Sequence, residues 1–407
     1  MSQLRQHWPL GLLLAVLALL PFGHAAELPL LIAALIGLWR RFRRPGPSAD
    51  PAGERLLLLV FLAYWLPELV SAVDSLAPGK SWQEAALDLR FLPFGWFVID
   101  TLALASARRG LALAAAVLIA LWSMDALVQA STGSGLGGSM RLDRVSGIFG
   151  DHNLKLGPVL AVLSPWLLVP AWRRFGIPGL AVSWLVLGAV VLLAGARAGW
   201  ISFGVLSLGL FWHLADSPRR LLVATATALL MGAVLAGASY QLSERFARRV
   251  DQSRLAFNGD RRALDQALSY RLGVWHAAIG MARAHGINGV GVRAFRNAYA
   301  DYAIADDRWV AVGERAYHAH QIVLEVLSET GLFGLIAWLA GALAALGRWH
   351  AATRTQRASA LAPGLALGAM VFPINTHLAF YSAFWGLLFW WLLAVWIALL
   401  SGPREPA

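Results

Sequence analysis

Long apolar runs, separated by short polar segments, occupy most of the 407 residues. A helix needs about 20 residues to cross a bilayer, allowing for its interfacial ends. Runs of this kind lie at residues 8–23, 27–40, 55–73, 91–107, 110–130, 156–172, 177–195, 198–215, 219–238, 321–346, 359–376 and 380–400. They predict an all-α polytopic membrane protein with about 12 transmembrane helices. The first run also fits a cleavable signal peptide, but the second follows so closely that an uncleaved first helix is favoured.

Basic residues between the runs predict how the helices are oriented. If the N-terminus is cytoplasmic, the loops that fall inside carry the basic clusters at residues 40–44, 108–109, 173–174, 219–220 and 348–357. This arrangement follows the positive-inside rule, and one miscounted helix would invert part of it. We therefore predict that both termini are cytoplasmic and that residues 74–90, 131–155 and 239–320 lie outside.

The longest polar interval divides the chain into three parts. It contains a glycine-rich turn at residues 286–291, preceded by apolar residues at helical spacing, namely Leu264, Leu268, Leu272, Trp275 and Ile279. We expect a helical cap on the outer membrane surface, between transmembrane helices 9 and 10. The predicted parts are residues 1–238 with helices 1–9, residues 239–320 as the helical loop domain, and residues 321–407 with helices 10–12 and a short cytoplasmic tail.

Composition narrows the range of functions. Apolar residues make up 58% of the chain and charged residues 14%, against about a quarter charged in soluble domains. The net charge of +11 is explained first by the positive-inside bias, so no nucleic-acid partner is predicted. The absence of cysteine excludes disulfides, thiol catalysis and Cys-ligated metals. The outer residues Asp143, Asp151 and His152 match no metal motif, so neither a metal nor a cofactor is predicted.

Two histidines stand where the polar interval meets the next apolar run. His318 and His320 are followed by Gln321 and then by a helical apolar pattern. Imidazole is the side chain most easily tuned to move protons near neutral pH. At the membrane boundary it could serve a lipid-borne substrate and a soluble one together. The alternative is a histidine pair that only caps a helix.

Four basic residues are candidates for binding an anionic group outside the membrane. Arg197 lies between two apolar runs among small residues, where an arginine needs a partner or a polar cavity. The planar guanidinium group of Arg197 suits bidentate binding of phosphate or pyrophosphate. The alternative is an interfacial arginine that extends its side chain to the membrane surface. Arg271 is either a second anion ligand or a solvated cap residue. Lys80 and Arg90 either extend a cationic funnel or meet solvent and the headgroups of membrane lipids.

Together these motifs resemble those of bacterial O-antigen ligases, whose superfamily includes O-antigen polymerases and protein O-oligosaccharyltransferases. His320-Gln321, nine residues and then Gly331-Leu332-Phe333-Gly334 is similar to the family motif His-(Asn/Ser/Gln)-x9-Gly-x-x-(Gly/Thr/Tyr). Further similar positions are Ser269, Arg271 and Trp275, then Gly289, Gly291 and Phe295, Arg197, residues 146–149 and residues 373–377. The resemblance runs from about residue 75 to the end of the chain.

The resemblance implies a GT-C-like, metal-independent, inverting glycosyltransferase in the bacterial inner membrane. It would move a glycan from undecaprenyl pyrophosphate to lipid A–core at the periplasmic face, where the cap would also lie. His320 would deprotonate the acceptor hydroxyl, and Arg197 and Arg271 would bind the departing pyrophosphate. The supporting candidates are His318, Gln321, Lys80 and Arg90. Two histidines leave the identity of the base open, and His320 is favoured because the motif starts from it.

Three alternatives to a ligase remain at this point. A polymerase would use the same donor with a lipid-linked glycan as acceptor, and the sequence discriminates poorly between the two. A protein O-oligosaccharyltransferase usually has a larger outer C-terminal region. A transporter or flippase of lipid-linked sugars would need no base at His320, but polar residues here concentrate on one side of the membrane rather than at its middle.

Overall fold

The structure, a computed structural model, describes residues 2–43, 50–140, 144–150, 153–374 and 379–402, with the backbone alone for residues 2–7. Helices dominate these ranges. Among the helices described, four are long and apolar enough to cross a membrane by length and composition, namely Ala105–Thr132, Pro165–Leu193, Pro218–Leu242 and Ile322–Ala351. The prediction of an α-helical polytopic membrane protein is therefore confirmed, while the number of twelve spans stays a prediction.

The first part of the chain forms mostly long helices. They are α1 (Ser2–Ala18), α2 (Glu27–Arg43), α3 (Pro51–Ser71), α4 (Pro78–Asp88), α5 (Phe91–Thr101), α6 (Ala105–Thr132), α7 (Leu156–Leu163), α8 (Pro165–Leu193), α9 (Arg197–Leu214) and α10 (Pro218–Leu242). After α6, Ser134–Gly135 pairs with Gly138–Ser139 in a short antiparallel hairpin. Inside α8, Gly176 has φ 65°, so the helix breaks between the two apolar runs that were predicted there.

The polar interval folds into short helices around a small core. They are α11 (Glu244–Arg254), α12 (Arg261–Ala267), α13 (Arg271–Ala284), α14 (Phe295–Tyr302) and α15 (Arg308–Ala311). Val274 and Met281 of α13 are buried there against Phe295 and Tyr299 of α14. We call residues 244–319 the cap.

The predicted apolar face of the cap is wrong in part. Ile279 is 40% exposed, and Leu264 is 38% exposed. The expected spacing assumed one helix through residues 264–279, whereas Ser269 and Tyr270 have φ 59° and 60° and separate α12 from α13. Helical periodicity does not continue across such a break, so α13 buries a different face.

The last part of the chain begins with the longest helix described. It comprises α16 (Ile322–Ala351), α17 (Arg354–Ser359), α18 (Leu361–Met370) and α19 (Ala383–Leu399). α16 packs along α3, and α13 of the cap packs on α16. The core passes through α19, in which Trp390 and Trp391 are fully buried.

The glycine-rich turn docks onto a kink in α16. Gly331 has φ 67° and interrupts the helix, and four backbone hydrogen bonds of 2.8–3.1 Å join the kink region to residues 286–291. A Cβ atom on Gly289 would lie 2.3 Å from the carbonyl carbon of Glu329, and one on Gly331 would lie 2.3 Å from that of Ile287. Both glycines are therefore required for backbone to meet backbone. This contact fixes the cap against the helix that follows the histidines.

Candidate functional site

Gln321 and the two histidines stand where α16 begins. The side-chain carbonyl of Gln321 accepts a hydrogen bond of 2.6 Å from the backbone N–H of Leu324, so Gln321 is the N-cap. His320 precedes it with φ 55°, in the left-handed region. The capping role considered for the histidines thus belongs to Gln321, and the two rings make other contacts.

The two imidazole rings lie against each other. Their centroids are 3.9 Å apart with an angle of 46° between the planes. The backbone N–H of His320 donates to Nδ1 of His318 at 3.2 Å. The same Nδ1 lies 3.3 Å from Oε2 of Glu325, whose side chain is fully buried in the first turn of α16. His318 is therefore held from two sides, whereas His320 is half-buried.

His318 is kept neutral by its surroundings. Burial, together with three nearby positive charges, lowers the pKa of His318 from 6.5 to about 3. The charges belong to Arg293, Arg271 and Arg296. A base this weak takes up little proton near neutral pH, so His320 suits the role of general base better than His318.

Arg271 also lies near a second group of arginines. Burial and the charges of Arg197 and Arg249 lower the pKa of Arg271 to about 10. Burial and the charges of Arg245 and Arg249 lower the pKa of Arg144 to about 10 as well. We call these five residues the arginine cluster. Like charges gathered in a partly buried place create a strongly positive potential, which favours binding of an anion.

Sequence analysis predicted two members of the arginine cluster and missed three. Arg245 and Arg249 are four residues apart on α11 and so share a face, a signal that could have found them. Arg144 lies in the segment between α6 and α7 and carries no local signature. Arg293 and Arg296, which face His318, come directly after the glycine-rich turn and were also missed.

Arg197 joins α9 to the cap. It is the first residue of α9, and its guanidinium donates to the Oγ atoms of Ser253 at 3.0 Å and Ser269 at 2.5 Å, and to the carbonyl of Ala267. These acceptors lie on α11 and around the break before α13. Arg197 thus anchors the strained turn from which Arg271 projects.

Lys80 and Arg90 have carboxylate partners. Lys80 Nζ lies 3.4 Å from Glu84 Oε2, and Arg293 Nε lies 3.8 Å from the same oxygen. Arg90 lies 3.2 Å from Glu27 and 2.8 Å from Asp88, with only 8% of its side chain exposed. The charge of Arg90 is therefore balanced locally. Lys80 shares the Glu84 carboxylate with Arg293, and the charge of Arg293 in turn acts on His318.

Some sequence candidates lie outside the described residues. These are Asp143, Asp151 and His152, and also residues 375–377 of the resemblance. Within the ranges that are described, no group of three or more His, Asp or Glu side chains is placed to hold a metal ion.

A polar cleft of about 550 Å³ opens in the cap beside the arginine cluster. Its lining combines aromatic rings, guanidinium groups, an amide and a carboxylate, from Arg249, Gln252, Ser269, Tyr270, Arg308, Trp309, Val312 and Glu314. Arg249 belongs both to this lining and to the arginine cluster. The guanidinium of Arg308 lies 3.9 Å from the ring centre of Tyr270. Aromatic faces beside hydrogen-bonding groups form a surface that suits sugars.

An apolar cavity of about 390 Å³ runs along the second half of α16. It lies between α3, α16, α18 and α19 and reaches from Tyr64 and Phe380 to Trp349 and Trp396. Tyr381, next to Phe380, donates its backbone N–H to Glu325 at 3.4 Å. The cavity therefore approaches the histidine site at one end.

Residues 180–339 match the family model for O-antigen ligase. The match includes Arg197, the cap, both histidines and the glycines at the kink of α16. This stretch is therefore similar to the O-antigen ligase family. No curated protein matches the chain. The family match confirms the resemblance drawn from the motifs and implies a glycosyltransferase-like enzyme of the ligase and polymerase superfamily. The matched region contains every predicted site residue except Lys80 and Arg90.

Proposed function

We propose that this protein is an O-antigen ligase, a metal-independent inverting glycosyltransferase. It transfers a glycan from undecaprenyl pyrophosphate to lipid A–core at the periplasmic face of the bacterial inner membrane. One observation carries the proposal beyond the family match: the charge of Arg271 acts on His318, while Arg197 and Arg249 act on Arg271. This electrostatic link supports the proposal that the histidine pair and the arginine cluster act as one site, with a candidate base beside a candidate pyrophosphate site.

The chemistry follows from this arrangement. His320 takes the proton of the acceptor hydroxyl while its oxygen attacks the anomeric carbon of the donor sugar. A new C–O bond forms, the bond from that carbon to the pyrophosphate oxygen breaks, and the configuration inverts. The pyrophosphate leaves with its electron pair. Arg197 and Arg271, joined by Arg249, stabilise its developing charge, an effect that is stronger in a site of low dielectric. His320 then returns its proton to solvent or to the leaving group.

The two cavities accommodate the parts of a lipid-linked donor on either side of this site. The polar cleft beside Arg249 takes the sugars nearest the pyrophosphate, and the apolar cavity takes the polyprenyl chain. In this arrangement both ends of the chain lie in the cytoplasm and the cap lies in the periplasm, as the loop charges predict. Since guanidinium groups supply the positive charge, we expect the transfer rate to be unchanged when EDTA is added.

Complementation of a ligase-deficient Gram-negative strain of matching glycan type tests the proposal. Wild type should restore the long-chain lipopolysaccharide ladder on lipid A–core, and His320→Ala, expressed to the same level, should not. Lengthening of lipid-linked glycan without a ladder would instead identify a polymerase. Glycan on protein would identify a protein O-oligosaccharyltransferase. Equal restoration by both variants would remove the catalytic role of His320 and favour a transporter of lipid-linked sugars.

A further inference from the structure

The backbone of His320 adopts a conformation that needs support. A positive φ is uncommon for a residue other than glycine, and it persists only where the surroundings enforce it. His320 has φ 55° just before the N-cap of α16. Because it precedes the helix, its backbone N–H has no role in the helical hydrogen-bond ladder. The structure gives that N–H a side-chain acceptor instead.

The acceptor is Nδ1 of His318, and this decides the tautomer of that ring. A neutral imidazole has one N–H donor and one acceptor nitrogen. Since Nδ1 of His318 receives the N–H of His320 at 3.2 Å, the ring proton must lie on Nε2. The ring of His318 also packs on the ring of His320, with centroids 3.9 Å apart. His318 therefore contacts both the backbone and the side chain of His320.

Glu325 approaches the same nitrogen. Its Oε2 lies 3.3 Å from Nδ1 of His318, and its Oε1 accepts the backbone N–H of Tyr381 at 3.4 Å. A carboxylate oxygen facing an unprotonated ring nitrogen would be repelled by it. The contact is attractive when the carboxyl group holds its proton on Oε2 and points it at Nδ1, whose single lone pair is then shared between this O–H and the backbone N–H of His320. Glu325 then fixes the orientation of the His318 ring through this shared contact.

We propose that His318 is a positioning residue which, with Glu325 as a hydrogen-bond donor, holds His320 in its strained conformation and aims its ring at the acceptor hydroxyl. The inference rests on the proposed function, since it assigns a role relative to the base of that reaction. His318 takes no proton from substrate. Its contribution is to the rate of the chemical step, because a displaced base no longer reaches the hydroxyl.

Two pairs of variants test the proposal in a transfer assay with purified protein, undecaprenyl-pyrophosphate-linked glycan and lipid A–core. In His318→Asn the amide oxygen takes the place of Nδ1, whereas in His318→Gln it takes the place of Nε2. We expect His318→Asn to keep kcat within about threefold of wild type, and His318→Gln to lose about tenfold or more, with KM for the donor unchanged. Likewise, Glu325→Gln supplies a permanent N–H donor and should be close to wild type, whereas Glu325→Ala should lose kcat.

Each other outcome contradicts the proposal in a defined way. If His318→Asn is as inactive as His320→Ala, then His318 is itself the base. If His318→Gln equals wild type, His320 needs no positioning by this ring. If Glu325→Gln is as impaired as Glu325→Ala, the carboxyl group does not act as a donor. Unfolding temperatures in detergent show whether a variant folds, and the Glu325 pair replaces the His318 pair if the latter does not.

Failure of the proposed function gives a different result. Wild type would then transfer no glycan to lipid A–core. If wild type instead extends a lipid-linked glycan, the same four variants are compared in that reaction, and the positioning role is judged from their ratios to wild type.

Discussion

Arg271 lies between the two groups of charged residues that make up the proposed site. Its charge acts on His318 on one side, and the charges of Arg197 and Arg249 act on it from the other. A guanidinium in this place offers a planar fork that binds two phosphate oxygens at once, whereas an ammonium is a point charge. The shape of the group should therefore matter as well as its charge.

Replacing Arg271 by lysine should lower kcat about tenfold, and replacing it by alanine should lower kcat about a hundredfold or more. The measurement is donor-dependent transfer by purified protein. Arg248→Lys is the matched control, because Arg248 is also in the cap but is 65% exposed and pairs with Glu244 on the surface. Full activity of Arg271→Lys would show that charge alone suffices there.

The residues that sequence reasoning found are those with local signatures. His320, Gln321 and Gly331 belong to one contiguous motif, and Arg271 lies in a recognisable segment. Arg144 and Arg293 have no such signature, since they reach the proposed site only through the packing of the folded chain. The contact of Glu325 with His318 depends on the backbone turn at His320, which one sequence does not reveal.

The buried neutral state of His318 gives a pH dependence of stability. An unfolded chain binds a proton at an ordinary histidine near pH 6.5, whereas the pKa of folded His318 is lowered to about 3. The unfolded state therefore binds more protons between these values, so this residue makes stability fall as the pH falls below about 6.5.

His318→Asn should remove that dependence. Between about pH 7.5 and about pH 5, the unfolding temperature of wild type should fall further than that of the variant. Tryptophan fluorescence in detergent measures both. An equal fall in the two proteins would mean that His318 is protonated in the folded state or titrates alike in both states.

At the scale of elements, the contact between the glycine-rich turn and the kink of α16 links the cap to the site. Its hydrogen bonds join residues that are far apart along the chain, as from Val290 to Ser328 and from Leu332 to Gly286. Sequence analysis identified the glycine-rich turn at residues 286–291. It did not predict which partner the turn meets, because the partner is itself a break in a long apolar helix. The predicted apolar face across α12 and α13 was wrong for a related reason: the spacing of apolar residues does not reveal where a helix ends.

Gly331→Ala should destabilise the protein by about 2–4 kcal/mol, since it combines a positive φ with a collision against the backbone of Ile287. Loss of transfer activity should accompany it because the kink lies in the helix that the histidines precede. Gly347→Ala is the control: it lies in the same helix, a Cβ atom there would meet nothing within 4 Å, and alanine should be neutral or slightly stabilising. Equal unfolding temperatures for the two variants would contradict the assigned role of the kink.

At the scale of the whole molecule, the proposed site lies where a polar cleft, a cluster of charged residues and an apolar cavity meet. The cap supplies the polar cleft and most of the arginine cluster, the residues just before α16 are the histidines, and the apolar cavity extends away between α3, α16, α18 and α19. A lipid-linked donor has three matching parts, namely sugar, pyrophosphate and chain. Hydropathy predicted the helices but not the cavity, because a gap between apolar helices depends on which small residues face each other after packing.

Filling the apolar cavity should weaken binding of the lipid-linked donor. Gly368 lines the cavity in α18, and a Cβ atom there would meet nothing within 4 Å, so Gly368→Leu adds volume without straining the backbone. We expect KM for the donor to rise about tenfold with kcat little changed, because the added side chain opposes binding of the polyprenyl chain rather than the chemical step.

Gly347→Leu is the matched control, since Gly347 has equally open surroundings but does not line the cavity. Shortening the polyprenyl chain of the donor should reduce the difference between Gly368→Leu and wild type. An unchanged KM in Gly368→Leu with the full-length donor would place the chain elsewhere on the molecule.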